Sequence, residues 1–235
     1  MTDLTQLMAI FQYLSSEKSV VKLYNTYRGL PLDTSTAILG VDQGKITTSV
    51  FGYQAVGMAL EGETYINAPN LPGTMRAMVV DVDIKKKRAV LSDFTPVEGS
   101  IGKRSLVRVE PNENLEVKLY DGRHHLGGRV VDISSKGMCI YTFFATLYGL
   151  KFEQDKDVFI DFKPPYSNSV VRSKGIITRI INREGSYQHQ LGLKIYTSPE
   201  LKLLLDEYIQ HRQKELLNEM EQSYLSLRRK KPRRV

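Results

Sequence analysis

Residues 130–137, VVDISSKG, begin as a strand and end as a turn. Val130, Val131 and Ile133 are β-branched and apolar, which suits a pleated, half-buried surface. Asp132 and Ser134 interrupt the run, and alternation along a strand puts them on one face. That face carries carboxylate and hydroxyl acceptors, and Ser134 can also donate. Gly137 closes the stretch; a glycine there can take a positive φ and can let a ligand approach the backbone. Read alone, Asp-x-Ser-x-x-Gly fits a turn held by local side-chain-to-backbone bonds.

The flanking sequence is of the same kind. LEVKLY (115–120) alternates Leu115, Val117 and Leu119 with polar neighbours, the pattern of a strand with one buried face. HHLGGRVVDIS, GMCIYTFF, DVFIDF, SVVRSKGIITRII and HQLGLKIY follow, giving roughly six short strands separated by turns. Such spacing predicts a small antiparallel barrel or sandwich. From Ser198 the period becomes helical, with Ser198 as cap and Pro199 in the first helical position. An apolar stripe runs through Leu201, Leu204, Leu205, Tyr208 and Ile209 and on through Leu216, Leu217, Met220, Tyr224 and Leu227. A helix of that length overhangs a small barrel, so residues 209–227 are expected to pair with a second copy in a homodimer or with a partner helix.

Upstream, residues 3–14 have Leu4, Leu7, Met8, Phe11 and Leu14 at helical spacing, with Thr2 or Asp3 as cap. From about 20 to 95 the pattern is strand-like: TAILGVDQGKITTSVFG as two strands around the turn Asp42–Lys45, then TYINAP, TMRAMVVDVD and RAVLSDF. Lys85, Lys86 and Lys87 fall on a hairpin tip, where charged residues are ordinarily solvated. Pro96, Gly99, Ser100 and Gly102 mark a connector. The expected organisation is a β-rich domain over 1–98, a second β-domain with its connector over 99–210, and a helical extension with a basic tail over 211–235.

Composition narrows the function. The 235-residue chain is 41% hydrophobic and 25% charged, an ordinary globular balance. No apolar run reaches membrane-spanning length, and the first residues lack a basic region and a cleavage site, so a cytoplasmic protein is expected. Cys139 is the only cysteine, stands in an apolar strand and reads as a core residue. His124 and His125 are neighbours that point to opposite faces of a strand, so they do not suit one metal ion. Nucleophile–base, phosphate-loop and dinucleotide signatures are missing, and GMALEG (57–62) is no substitute; a non-enzymatic role without cofactor or metal is expected. The net charge is +7, but the tail RRKKPRRV holds six cations and leaves +1 for residues 1–227. A near-neutral body argues against nucleic acid as the partner.

The connector changes the weight of VVDISSKG. RSLVR places Arg104 and Arg108 four apart, with Lys103 just before them. A guanidinium fork suits phosphate oxygens and the O6/N7 edge of guanine. Carboxylate and hydroxyl suit the guanine donors N1–H and N2–H. Together these groups fit a guanine dinucleotide held between a cationic loop and a strand.

Arg104, Arg108, Asp132, Ser134 and Gly137 occur in the order Arg-x-x-x-Arg, then Asp-x-Ser-x-x-Gly. In this the chain resembles the PilZ domain, a bacterial receptor for cyclic di-GMP, over about residues 100–210. A preceding β-rich domain with the arginines in the connector is similar to the flagellar-brake (YcgR-like) layout. The resemblance implies a mainly β protein with an N-terminal barrel-like domain, a six-stranded antiparallel PilZ barrel, an N-terminal helix and a long C-terminal one. It implies that Arg104 and Arg108 clamp phosphate and guanine edges, that Asp132 and Ser134 hold guanine, and that Gly137 makes the turn. Lys103 and Lys136 are further expected contacts, and Lys103 bears on whether one or two nucleotides bind. The implied role is a non-catalytic receptor that orders its connector and signals to a protein partner in motility, surface or polysaccharide control. Two other readings stand beside it: a PilZ-like scaffold that ignores the nucleotide, and a nucleic-acid binder using the basic tail.

Overall fold

The computed structural model describes residues 3–97, 106–143, 152–165, 167–182 and 188–229. Lys103, Arg104 and most of the connector lie outside the described residues, as does the tail after Arg229. The chain divides into two compact units, one of residues 1–105 with 216–235 and one of residues 106–215.

In the first unit, helix α1 (Leu4–Ser16) starts at Asp3, whose side chain accepts the N–H of Thr5. Strands β1 (Val20–Tyr27), β2 (Leu30–Asp42) and β3 (Lys45–Ser49) follow. Next come helix α2 (Gly52–Glu61) and strands β4 (Glu63–Asn67), β5 (Met75–Asp83) and β6 (Arg88–Pro96). The strands close into a barrel in the order β1-β2-β3-β6-β5-β4. Every pairing is antiparallel. Burial alternates along β1 and β3, so Val21, Leu23 and Ile46 enter the core while their neighbours face outward. Leu7, Phe11 and Leu14 of α1 complete that core, with the Phe11 ring 4.8 Å from Phe94. Each such side chain, fully buried, contributes about 1.5–3 kcal/mol.

The sequence pattern gives no helix over α2; the strand-like run it shows ends at Gly52. Gly52 and Gly57 depress its helical propensity and blur the 3.6-residue period. Packing explains Gly57: a Cβ there would stand 2.8 Å from Leu32 Cδ1, so the missing side chain lets the helix approach β2. Gln54 is buried beside it and donates to Asn25 Oδ1, which also accepts from Thr64 Oγ1.

The second unit contains β7 (Glu116–Tyr120), β8 (His125–Ser134), β9 (Gly137–Phe143), β10 (Asp157–Phe162), β11 (Val171–Asn182) and β12 (Gln188–Tyr196). These close antiparallel as β10-β11-β12-β9-β8-β7. Val117, Leu119, Ile133, Ile140, Ile160 and Leu191 fill the interior, and Cys139 is buried among the strands. The β7–β8 turn accounts for both histidines without a metal. Asp121 Oδ1 accepts the N–H groups of Arg123 (2.8 Å) and His124 (2.7 Å), and Asp121 Oδ2 stands 3.1 Å from His124 Nδ1. His125 stacks on Tyr120 at 4.5 Å.

Helix α3 (Pro199–Arg229) begins as the sequence predicts, with Ser198 Oγ accepting the Leu201 N–H. Its residues through Glu215 group with the second unit and those from Leu216 with the first. The expectation that the stripe from Ile209 to Leu227 lacks an internal cover is corrected here. Ile209, Leu216 and Met220 are buried within the single chain, and Tyr224 and Leu227 pack against the core of the first unit. Tyr27 and Arg28 bond to Glu219 of the same helix, at 3.3 and 3.0 Å. Leu217 of the same stripe stays exposed. Among the described residues, no helix is long and apolar enough to cross a membrane.

Met220→Ala removes a fully buried side chain and should lower stability by about 2–5 kcal/mol in denaturant unfolding, at any protein concentration. A second prediction concerns the β7–β8 turn. The hydrogen bonds from His124 and Arg123 hold the Asp121 carboxyl at about 2, below its ordinary 3.8. The folded value is depressed, so the turn's contribution is fully present above 3.8 and is lost as pH falls through about 2. Carboxyl NMR titration should place the Asp121 midpoint near 2.

Candidate functional site

Strand β8 is longer than its neighbour β7. Their register ends at Glu116 opposite Arg129, and one further bond, from the Val130 N–H to the Leu115 carbonyl at 2.9 Å, leaves this edge of β8 beyond β7 from Val131 to Ser134. The segment after the connector fills part of that edge. Val109 and Ile133 exchange both main-chain hydrogen bonds, each 3.0 Å, in an antiparallel bridge. Both side chains are fully buried. In such a pair the residues on either side are also opposed, so Arg108 faces Ser134 and Glu110 faces Asp132. Alternation then puts Arg108, Asp132 and Ser134 on the same, outer face. Arg108 is diagonal to Asp132, within reach of a long side chain.

The side chains meet accordingly. Arg108 Nη1 donates to Asp132 Oδ1 at 3.3 Å, with the two side chains 39% and 22% exposed. A bulge in the β8–β9 ladder between Val130 and Asp132 leaves Val131 and Asp132 half-buried in succession. Ser134 is buried, and its hydroxyl donates to the Gly137 carbonyl at 3.0 Å. The Ser135–Lys136 hairpin tip lies between them, with Lys136 exposed and its carbonyl accepting the Ile195 N–H.

Gly137 owes its place to something other than a positive φ. Its backbone is not in the left-handed region. A Cβ at 137 would lie 2.5 Å from the Leu193 carbonyl oxygen of β12. The close approach permitted by this glycine is thus made by the neighbouring strand.

Arg212 is a residue that the sequence reading passed over. It is buried in α3, where its Nε donates to the Glu110 carbonyl at 3.0 Å and its Nη1 to Glu215 Oε2 at 2.8 Å. Asn112 Nδ2 reaches the same Glu215 oxygen at 3.2 Å. The chain just after Arg108 is therefore held on one side by β8 and again by α3. A cation inside an apolar stripe, between Tyr208, Ile209 and Leu216, was the available signal, since a buried guanidinium must find partners.

The second unit also has an open cleft of about 660 Å³, lined by Glu110, Val117, Arg129, Val131 and Tyr141 among others. Arg108, Asp132, Ser134 and Gly137 are not in its lining. Among the described residues, no group of three or more His, Cys, Asp or Glu side chains could hold a metal ion.

Residues 103–211 match the family model described as PilZ domain. No curated protein matches the chain. Among solved structures, the Bacillus subtilis inhibitor of motility MotI/DgrA is 14% identical, with 84% of this chain and 97% of that one covered and a TM-score of 0.42. YcgR from Escherichia coli, solved with c-di-GMP, is 14% identical, with 94% and 95% covered and a TM-score of 0.43. The K. pneumonia MrkH–c-di-GMP complex is 11% identical, with 94% and 97% covered and a TM-score of 0.42. Likenesses at this level carry no functional weight by themselves.

Gly137→Ala tests the account of the turn. The added methyl has backbone on its far side and nowhere to move, so the variant should lose about 1–3 kcal/mol in thermal or denaturant unfolding.

Proposed function

We propose, from the PilZ domain that this chain carries over residues 103–211, that the protein is a receptor for cyclic di-GMP. The observation that carries this reading is Arg108 standing beside Asp132 on the outer face of the second barrel. Arg108 offers a fork for phosphate oxygens or the guanine O6/N7 edge. Asp132 offers carboxylate oxygens for guanine N1–H and N2–H, with more acceptor capacity than one arginine contact uses. An ion pair this exposed contributes only about 0–1 kcal/mol, so a ligand can part or share it at small cost. Ser134 serves mainly by fixing the hairpin beneath the ligand, since its hydroxyl proton is committed to Gly137. Lys136 is placed for a peripheral phosphate contact.

Arg104 and Lys103 act with Arg108 as the cationic half of the site, and Lys103 reaches the additional phosphates of a second, stacked nucleotide. Capture of the ligand fixes the connector, alters the arrangement of the two units and thereby signals to a protein partner in motility, surface or polysaccharide control. Fixing each residue costs about 1–2 kcal/mol of backbone entropy, and charge-assisted bonds to phosphate are strong enough to offset it. The role in this reading is one of binding, carried by charged and hydrogen-bonding groups.

Calorimetric titration with cyclic di-GMP tests the reading. Wild-type protein should bind, and Arg104→Ala or Arg108→Ala should each lose at least tenfold in affinity, from about 1.5–3 kcal/mol per charged hydrogen bond. Hydrogen exchange should slow across residues 98–108 on binding. Unaltered titration curves for both arginine variants would sink the assigned site, and absence of binding by the wild type would leave a PilZ scaffold that ignores the nucleotide.

A further inference from the structure

Two cationic runs, far apart in the sequence, converge in the first unit. The tip of the β5–β6 hairpin and the last turn of α3 line one open cleft of about 690 Å³. Its floor is Ile84, Tyr224 and Leu225, and its rim is Lys85, Lys87, Arg228 and Arg229. No carboxylate is among the lining residues. Among the described residues, none of the four rim cations forms an ion pair; Lys86 alone reaches a carboxylate, Asp83, at 4.0 Å. Lys87 Nζ stands 5.6 Å from the centre of the Phe51 ring, and Phe51 is 48% exposed. The sequence adds four more cations directly after Arg229: Lys230, Lys231, Arg233 and Arg234.

Four like charges around one concavity repel one another, and a polyvalent anion relieves that repulsion. The residue types choose among anions. Lysine is depleted in protein–protein interfaces, whereas lysine and arginine dominate contacts with phosphate backbones. A planar anionic bilayer favours apolar side chains that project beyond the cations. Here the apolar lining residues Ile84, Tyr224 and Leu225 are buried or half-buried, and the ring of the exposed Phe51 lies under the Lys87 ammonium. The rim supplies donors only, so it grips phosphate without reading base edges. Near-neutrality of residues 1–227 argued against nucleic acid only while the charges were counted and not placed. We propose that this cleft binds the phosphate backbone of nucleic acid without sequence preference. It shares no residue with the nucleotide site at Arg108 and Asp132 and does not depend on that assignment.

The test is fluorescence anisotropy of the full chain with a short mixed-sequence DNA duplex over a series of salt concentrations. Four neutralised phosphates predict that log K falls with log salt at a slope of about −3.6, from about −0.9 each, with the tail steepening it further. The exposed double variant Lys85→Glu, Lys87→Glu should bind at least tenfold more weakly and with a slope about 1.8 shallower. Its cyclic di-GMP titration should match that of wild type. The milder Lys85→Gln, Lys87→Gln variant, expected to fall between the two, keeps the test open if charge reversal impairs folding. Duplex binding indifferent to both lysine variants, or lost entirely on ending the chain at Arg229, would assign the effect to the tail and overturn the cleft. Binding to vesicles of phosphatidylcholine with phosphatidylglycerol, with no binding to the duplex, would overturn nucleic acid as the partner.

Discussion

Two main-chain hydrogen bonds between Val109 and Ile133 set most of what surrounds the candidate site. Strand β8 outruns β7, and its exposed edge is a row of main-chain groups that must be satisfied. Val109 satisfies the pair at Ile133, and both side chains drop into the core. Register follows from that one bridge: Arg108 can only emerge on the outer face, beside Asp132. A slip of one residue would turn Arg108 into the barrel and Val109 outward, a double loss of desolvated charge and exposed apolar surface. The cation is thus positioned by the hydrophobic effect acting on its neighbour more than by its own modest ion pair.

Helix α3 adds a second restraint from the opposite direction. A buried guanidinium is tolerable only when its donors are used, and Arg212 spends two of them on the Glu110 carbonyl and Glu215. Further along the same helix, Met220, Tyr224 and Leu227 are absorbed by the first unit. Within the single chain, much of the long apolar stripe of α3 is thus buried.

Strand alternation made most of the fold legible. Leu115, Val117 and Leu119 face inward as their spacing requires, and Ser198–Pro199 starts α3 as a cap should. Legibility failed where the cause was tertiary. Helix α2 is held by close packing of Gly57 against Leu32, which no local propensity records. The Val109–Ile133 bridge joins residues with little signal of their own. The chemistry and spacing of Arg108 and Asp132 mark them in the sequence, and the bridge gives the physical route by which they meet. The lysines of the β5–β6 tip and the arginines that end α3 each look like ordinary solvated charge; only folding brings them to one cleft.

The environment of Gly137 bears on how such motifs should be searched for. A methyl group at this position meets a strand of the same barrel, so glycine is demanded by barrel closure whether or not anything binds. Ser134 is similar, because its hydroxyl fastens the hairpin that the glycine ends. Two of the three fixed positions of the Asp-x-Ser-x-x-Gly signature are thus markers of architecture. A chain that had lost its ligand would be expected to retain the serine and glycine and to drift at the arginines and the aspartate. Scanning genomes for ligand-binding members of this domain type should weight those charged positions and treat the remainder as a record of folding.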